Sequence, residues 1–347
     1  MLLVGITSCY RDTKTCRCAR EKQLDFKNEC RTVDDAIYPD GDLNYQKQVH
    51  SGSERFAPAF NPYNAKEVSF VLISREPHES HPQHLVIANI ETGDHRFVAW
   101  LDPSTRYSLT DWSKQDIIYV DNKYIYNATT LERIQLPNSV WLSRNVWSPS
   151  GDKILGWIER IHDIDLENEW RQSCRDCKMA YITWPEMELH PIDLFAGMDV
   201  YSQPIAWSSQ NDLYFSDDGI LYYTQYPEFN SKKLFESKVK IGGGGRDFVW
   251  SPDGESLFCA HSQDGIFRID KGKNKQYRLK KACPNRQYNY ITVSPEGDKI
   301  IAERREITAG HDGTYISETH NLVIMDIDGC NEKVLFEDWD GTVKGRL

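Results

Sequence analysis

Trp250-Ser251-Pro252-Asp253-Gly254-Glu255 is a phrase that returns along the chain, as Trp147-Ser148-Pro149-Ser150-Gly151-Asp152-Lys153 and as Val293-Ser294-Pro295-Glu296-Gly297-Asp298-Lys299. Its chemistry is that of a tight turn. Proline presets φ near about −65° at the second position, Asp, Asn or Ser hydrogen-bonds the neighbouring backbone, and glycine accepts positive φ. The residue ahead of the phrase ends one strand. Residues 153–158, 255–260 and 299–303 then alternate with the period of two that marks a second strand.

Weaker copies stand at Phe60-Asn61-Pro62-Tyr63-Asn64-Ala65-Lys66, Asp111-Trp112-Ser113-Lys114-Gln115-Asp116 and Ala206-Trp207-Ser208-Ser209-Gln210-Asn211-Asp212, which makes six. Self-similarity of this kind marks a repeat architecture. A third and a fourth strand complete each unit, at 265–270 and 275–281 in the fifth repeat and at 321–326 and 332–336 in the sixth. Four short antiparallel strands per repeat, arranged radially, leave only short protected edges. The fold class is therefore all-β, a six-bladed β-propeller of four-stranded antiparallel blades. A β-sandwich with turn-rich loops is the competing fold. The second and fourth repeats lack both the Pro and the Gly of the turn, so the blade count leans on the other four.

This repeat resembles that of the TolB-like six-bladed β-propellers, the WD40-like Pro-Asp repeat family, which runs aromatic-Ser-Pro-Asp-Gly, strand, loop, strand, Asp-x-x-Gly, strand. Asp326-Ile327-Asp328-Gly329 and Glu91-Thr92-Gly93 fit the later turn. The resemblance covers residues 51–338. It implies a propeller whose relatives act as periplasmic or membrane-anchored scaffolds. Residues 50–347 read as the propeller and residues 1–49 as a cysteine-rich tether or cap. A strand at 43–49 is expected to help close the ring, with 339–347 as the competing segment.

The chain carries 41 basic and 52 acidic side chains, a formal charge of −11. No nucleic acid partner is expected, because phosphate neutralisation needs a basic face. No stretch approaches the roughly 20 apolar residues that span a bilayer. Leu2-Leu3-Val4-Gly5-Ile6-Thr7-Ser8-Cys9 looks like a bacterial lipobox, which makes Cys9 a lipidation candidate. A signal peptide needs about 15–30 residues with a basic start, and the residues ahead of Cys9 are few and none is basic. Either the true start lies upstream or the match is chance. The first reading places the protein in the periplasm with a lipid anchor in the outer membrane, and the second places it in the cytoplasm.

Setting Cys9 aside leaves an even set of cysteines, which in an exported protein reads as disulfides. The disulfide candidates are Cys16, Cys18, Cys30, Cys174, Cys177, Cys283 and Cys330, and Cys259 reads as a buried thiol. Reduced structural thiols are an alternative. Another is a four-thiolate zinc site built from Cys16-Arg17-Cys18 and Cys174-Arg175-Asp176-Cys177.

In a propeller the loops between second and third strands emerge on one face, together with the connections between blades. These loops are short in blades two, four and five. They are long in blade one (75–84), blade three (160–178) and blade six (304–320). Long loops on a rigid scaffold are where binding resides. The expected binding surface is therefore Arg75, His81, Ile164, Trp170, Arg304, His311 and Tyr315. His78, His81, His84, His311 and His320 are weak candidates for a metal site, with Glu79 or Asp312 completing the shell. Surface decoration is the plainer account of the same histidines.

A Gly-x-Ser-x-Gly elbow is absent from the whole sequence, so serine-hydrolase chemistry of that type is excluded. The run Gly242-Gly243-Gly244-Gly245 lacks the Lys-Ser/Thr of a phosphate loop. The reading is a non-enzymatic scaffold of the cell envelope, without cofactor, that binds a protein or an envelope component. The alternative is a propeller enzyme of polysaccharide-lyase type with a loop-histidine metal site, since some polyuronate lyases are propellers of related repeat type. The acidic balance opposes a polyanionic substrate unless Arg75, Arg304 and Arg305 form a local basic pocket.

Overall fold

The computed structural model describes residues 48–50, 54–73, 83–101, 110–121, 124–136, 141–159, 178–192, 205–217, 220–229, 232–236, 248–261, 264–271, 275–282, 286–309 and 316–336. Among these every regular element is a β-strand. Strand β1 is Gln48–His50. Blade one follows as β2 (Glu54–Asn61), β3 (Asn64–Ile73), β4 (Gln83–Asn89) and β5 (His95–Leu101). Blade two is β6 (Asp111–Trp112), β7 (Ile117–Asp121), β8 (Tyr124–Asn127) and β9 (Arg133–Gln135). Blade three is β10 (Trp141–Trp147), β11 (Lys153–Glu159), β12 (Lys178–Thr183) and β13 (Leu189–Ile192). Blade four is β14 (Ile205–Trp207), β15 (Asp212–Asp217), β16 (Ile220–Gln225) and β17 (Lys232–Glu236). Blade five is β18 (Phe248–Trp250), β19 (Ser256–His261), β20 (Gly265–Asp270) and β21 (Lys275–Lys281). Blade six is β22 (Arg286–Val293), β23 (Lys299–Ala309), β24 (Ile316–Asp326) and β25 (Lys333–Val334). Each blade pairs its strands in sequence order, antiparallel throughout.

The repeated phrase makes the turn from first to second strand, and its serine is the hub. Ser294, wholly buried, accepts the backbone N–H of Asp298 (3.1 Å) and Lys299 (3.0 Å). Ser148 and Ser251 accept the N–H of Lys153 (3.0 Å) and Ser256 (2.9 Å) in the same way. Gly151, Gly254 and Gly297 take φ of 74°, 73° and 72°. In blades two and four Asp116 (φ 58°) and Asn211 (φ 63°) occupy the left-handed position that glycine holds elsewhere, in turns one residue shorter. Asp and Asn tolerate that region because a short polar side chain bonds locally. Blades two and four are thus full four-stranded blades, although their turns look degenerate in sequence.

The aromatic that opens each phrase packs between blades. Trp112 lies in the core shared by blades one and two, Trp147 in that of two and three, Trp207 in that of three and four, and Trp250 in that of four and five. Val293 takes this place between blades five and six. Phe60 takes it in the sixth core, with Val68, Phe70, Ile301, Leu322 and Ile324, where blade one meets blade six and the ring closes. Side chains on both faces of each blade are buried this way, at about 25 cal/mol per Å² of apolar surface removed from water.

Closure has a second component. Strand β1 runs parallel to the start of β24, with Gln48, Val49 and His50 opposite Ile316, Ser317 and Glu318. A ring-closing strand was expected at 43–49, and the paired residues fall at 48–50. Residues 339–347 lie outside the described residues. One expectation needs correction. The 304–320 stretch is mostly strand, since β23 and β24 are paired from Lys299 with Asp326 to Ala309 with Ile316. Only 310–315 remains between them. Charged residues at 303–306 conceal the alternation there because both faces of this hairpin meet polar partners.

Candidate functional site

The two ends of the ring differ. At the turn end, neighbouring blades consume one another's polar groups. Tyr63 donates its hydroxyl to the Lys114 carbonyl (2.5 Å), and Asp111 accepts the backbone N–H of Trp147 (2.7 Å). Lys271 donates to Gln210 and Asp212, at 2.7 Å each. A Cβ built on Gly254 would stand 3.0 Å from the Ser209 hydroxyl. This end is interlocked.

The opposite end carries the second-to-third-strand connections, and the three blades in which these are longest (74–82, 160–177 and 310–315) also have irregular inner strands. Pairing of inner to second strand shifts register between Phe56 and Ala59 in blade one, Ser143 and Val146 in blade three, and Asn289 and Ile291 in blade six. The short inner strands β6, β14 and β18 pair without a shift. Ala57 (φ 52°) and Tyr290 (φ 44°) sit in two of these bulges, and left-handed backbone at a bulky Tyr is a strained conformation. Bulges re-aim side chains and recur beside functional sites.

Between blades six and one lies a polar cluster. His320 of β24 faces Glu303 of β23 through Nδ1 and Glu54 of β2 through Nε2, the latter at 3.3 Å. Arg55 donates to the Asn321 side chain (3.4 Å). Glu303 is only 2% exposed, and its Oε2 is buried without a hydrogen-bond partner. On β4 of the same blade, His84 is buried under Trp100 (ring centroids 4.2 Å) and Phe97 (5.7 Å). Burial pushes the His84 imidazole below its usual pKa and so favours its neutral form. Trp100 itself is 64% exposed.

A second cluster lies on the other face of blade six. Glu332 accepts Lys280 (2.9 Å), Arg304 (2.7 Å) and the Tyr288 hydroxyl (3.0 Å). Glu306 pairs with Arg304 (3.3 Å) and Arg286 (3.1 Å). Burial alone would raise the Glu332 pKa, but the Lys280 and Arg304 charges outweigh it and hold the group at about 2.

Of the residues singled out in the sequence, Arg304 is therefore committed to a buried ion network, and Arg305 donates to Gln287 (3.2 Å). His84 is a strand residue stacked on aromatics. His320 has both ring nitrogens facing carboxylates. Arg75, His78, His81, Ile164, Trp170, His311 and Tyr315 lie outside the described residues, as do Cys9, Cys16, Cys18, Cys30, Cys174, Cys177 and Cys283. Cys330 is disulfide-bonded, and Cys259 is a buried thiol in the core of blades four and five. Among the described residues no three His, Cys, Asp or Glu side chains are grouped to hold a metal ion. Sequence reading missed Glu54 and Glu303. The signal for Glu303 was a carboxylate following Ile301 on the apolar face of β23.

The class these features define is the six-bladed β-propeller with four-stranded antiparallel blades. No protein-family model matches the chain, and no curated protein sequence does. Among solved structures it is similar to an oligogalacturonate lyase in complex with manganese, with a TM-score of 0.48 and 13% identity, over 81% of this chain and 77% of that one. It is similar to an oligogalacturonate lyase from Vibrio parahaemolyticus, with a TM-score of 0.48 and 11% identity, over 82% of this chain and 77% of that one. A third is the Pyrococcus horikoshii acylaminoacyl peptidase, with a TM-score of 0.46 and 12% identity, where the match covers 82% of this chain but 46% of the peptidase.

Proposed function

We propose that this protein is a TolB-like binding propeller of the cell envelope, exported and lipid-anchored through Cys9, that engages a protein or envelope component through the end carrying the long loops. The observation behind this reading is the coincidence of bulged inner strands in blades one, three and six with long second-to-third-strand connections in blades one and three and the long β23–β24 hairpin of blade six, at the end opposite the interlocked turns. An interlocked end has few polar groups left for a partner. Loops raised on a rigid ring present a large and variable surface.

The test is site-specific photocrosslinking in the native host. Probes replace Trp170 and Tyr315 on the loop end, and Tyr63 and Glu296 on the turn end. A discrete adduct from the loop positions alone is expected. An adduct from the turn positions alone would place binding at the wrong end. Intact mass of the native protein checks the anchor: diacylglyceryl on Cys9 is expected, and an unmodified Cys9 removes the lipoprotein part of the reading.

A further inference from the structure

Blade one differs from its neighbours in what it places on its outermost strand. In blades one, four and five the third and fourth strands pair through a bulge at the same place, with an extra residue at Val98, Leu234 and Leu279. Residues three apart on a strand face opposite ways, and an extra residue between them brings both to one face. The positions so aligned hold Lys233 and Glu236 in blade four, Arg278 and Lys281 in blade five, and Phe97 and Trp100 in blade one. Charge is what a solvated edge strand ordinarily carries. Blade one has two aromatic rings there instead, and β4 sets His84 directly opposite Trp100.

The three rings form one platform. His84 lies 4.2 Å from Trp100 and 5.7 Å from Phe97, and Phe97 packs edge-on to Trp100 at 5.7 Å. Leu72, His84 and Trp100 stand in one row across blade one, on the face turned to blade six, and their exposure rises outward from 0% through 5% to 64%. Strand β25 pairs only Val323 and Ile324, toward the turn end of β24, so the fourth strand of blade six stops short of this row. Two rings therefore hold a third whose outward face is open. Among the described residues the other exposed large apolar side chain is Tyr63, at the turn end, and its hydroxyl is already engaged by Lys114.

Size and chemistry select the ligand. A stable protein interface buries about 800 Å² on each partner, whereas one Trp offers about 150–250 Å² at most, the footprint of a single ring. A nucleic acid base brings phosphate, which the formal charge of −11 opposes. His84 Nδ1 is buried with no hydrogen-bond partner, and burial favours the neutral ring, which has one N–H and one lone pair. A hydroxyl can answer either of these, and it can also accept from an indole N–H. A pyranose combines the two requirements, with an apolar C–H face to lie on the indole and hydroxyls around its rim.

We propose that Trp100, seated on Phe97 and His84, is a stacking platform for an uncharged pyranose ring of a glycan. The platform stands at the loop end, where β4 begins and β5 ends. Placing that glycan in the cell envelope rests on the binding reading above, while the platform itself does not.

The test uses the full chain labelled with nitrogen-15 at its ten tryptophans, with the Trp100 indole signal identified by its loss in Trp100→Ala. The probes are cellohexaose, maltohexaose and chitohexaose at up to about 20 mM, the range of a weak single-ring contact. A saturable shift of the Trp100 signal with at least one of them is expected, together with saturation transfer to the ring C–H protons of that sugar. Affinity should be about tenfold weaker in Trp100→Ala, the worth of one ring stack. A Trp100 signal that none of the three moves, affinity unchanged in Trp100→Ala, or a response to tetramethylammonium chloride alone overturns the proposal. Loop-end photoadducts with a silent Trp100 overturn the sugar platform and leave the loop-end reading standing. A Trp100 response with adducts from the turn end alone supports the platform and removes that reading.

Discussion

Glu332→Gln isolates one buried charge whose worth follows from the structure. The carboxylate receives Lys280, Arg304 and Tyr288 between blades five and six and is held at about 2 against an ordinary 4.5. At about 1.4 kcal/mol per pH unit this difference corresponds to about 3 kcal/mol of folding stability at neutral pH. The pKa is depressed, so the contribution is complete above 4.5 and disappears as pH falls toward 2. Removing one partner of a buried pair costs about 3–5 kcal/mol because the remaining charge is stranded, here Lys280, while Arg304 keeps Glu306. Urea unfolding followed by tryptophan fluorescence should show the variant about 3 kcal/mol less stable at pH 7, with the gap closing as pH falls from about 4.5 toward 2. The double variant Lys280→Met, Glu332→Leu should regain most of the loss, since no charge is then left unpaired. A gap below about 1 kcal/mol at pH 7, or one that does not change with pH, refutes the reasoning.

Three further outcomes follow from the repeat. Ser294→Ala removes the acceptor of two half-buried turn N–H groups and is expected to lower stability by about 0.5–1.5 kcal/mol in the same urea assay. Trp250→Ala opens a cavity beside Tyr214 (ring centroids 4.3 Å) and should cost about 3–5 kcal/mol, with the fluorescence spectrum reporting the lost indole. Asn211→Val forces a β-branched residue to a φ of 63° and should cost about 1–2 kcal/mol, whereas Asn211→Gly should melt within a few degrees of the wild type.

The fold was legible because turn chemistry is local. A Ser hydroxyl, a Pro and a positive-φ residue within six positions specify one backbone path, and the strands at Gly265–Asp270 and Lys275–Lys281 follow from it with their bounds unchanged. The degenerate copies were recoverable for the same reason, since Asp116 and Asn211 can adopt what Gly adopts. The length of the blade-six hairpin was hidden. Arg304, Arg305 and Glu306 read as loop beyond a strand ending at Glu303, yet Arg304 and Glu306 face the blade-five network while Glu303 faces blade one. A strand with polar partners on both faces has no hydrophobic alternation to detect. The seam was hidden by distance, since Arg55 and Asn321 meet across 266 positions and no short-range pattern links them.

The location of that seam bears on how the loop end could work. Five of the six interblade cores lie between blades that follow one another along the chain, so folding one blade places the next at high effective concentration. The sixth joins the ends of the repeat, and its alignment rests on Phe60 and its neighbours, on three residues of β1 and on the histidine bridge. Blades six and one, which flank it, carry two of the three loops proposed for binding and two of the three bulged inner strands. The spacing of those loops is therefore set by non-covalent contacts across the seam rather than by the covalent chain. A partner that spans blades six and one would bind the closed ring more tightly than the loosened one, and by reciprocity its binding would hold the seam closed. Measured affinity for such a partner should then fall in Phe60→Ala, which loosens the core at this seam, while affinity for a partner confined to blade three should not.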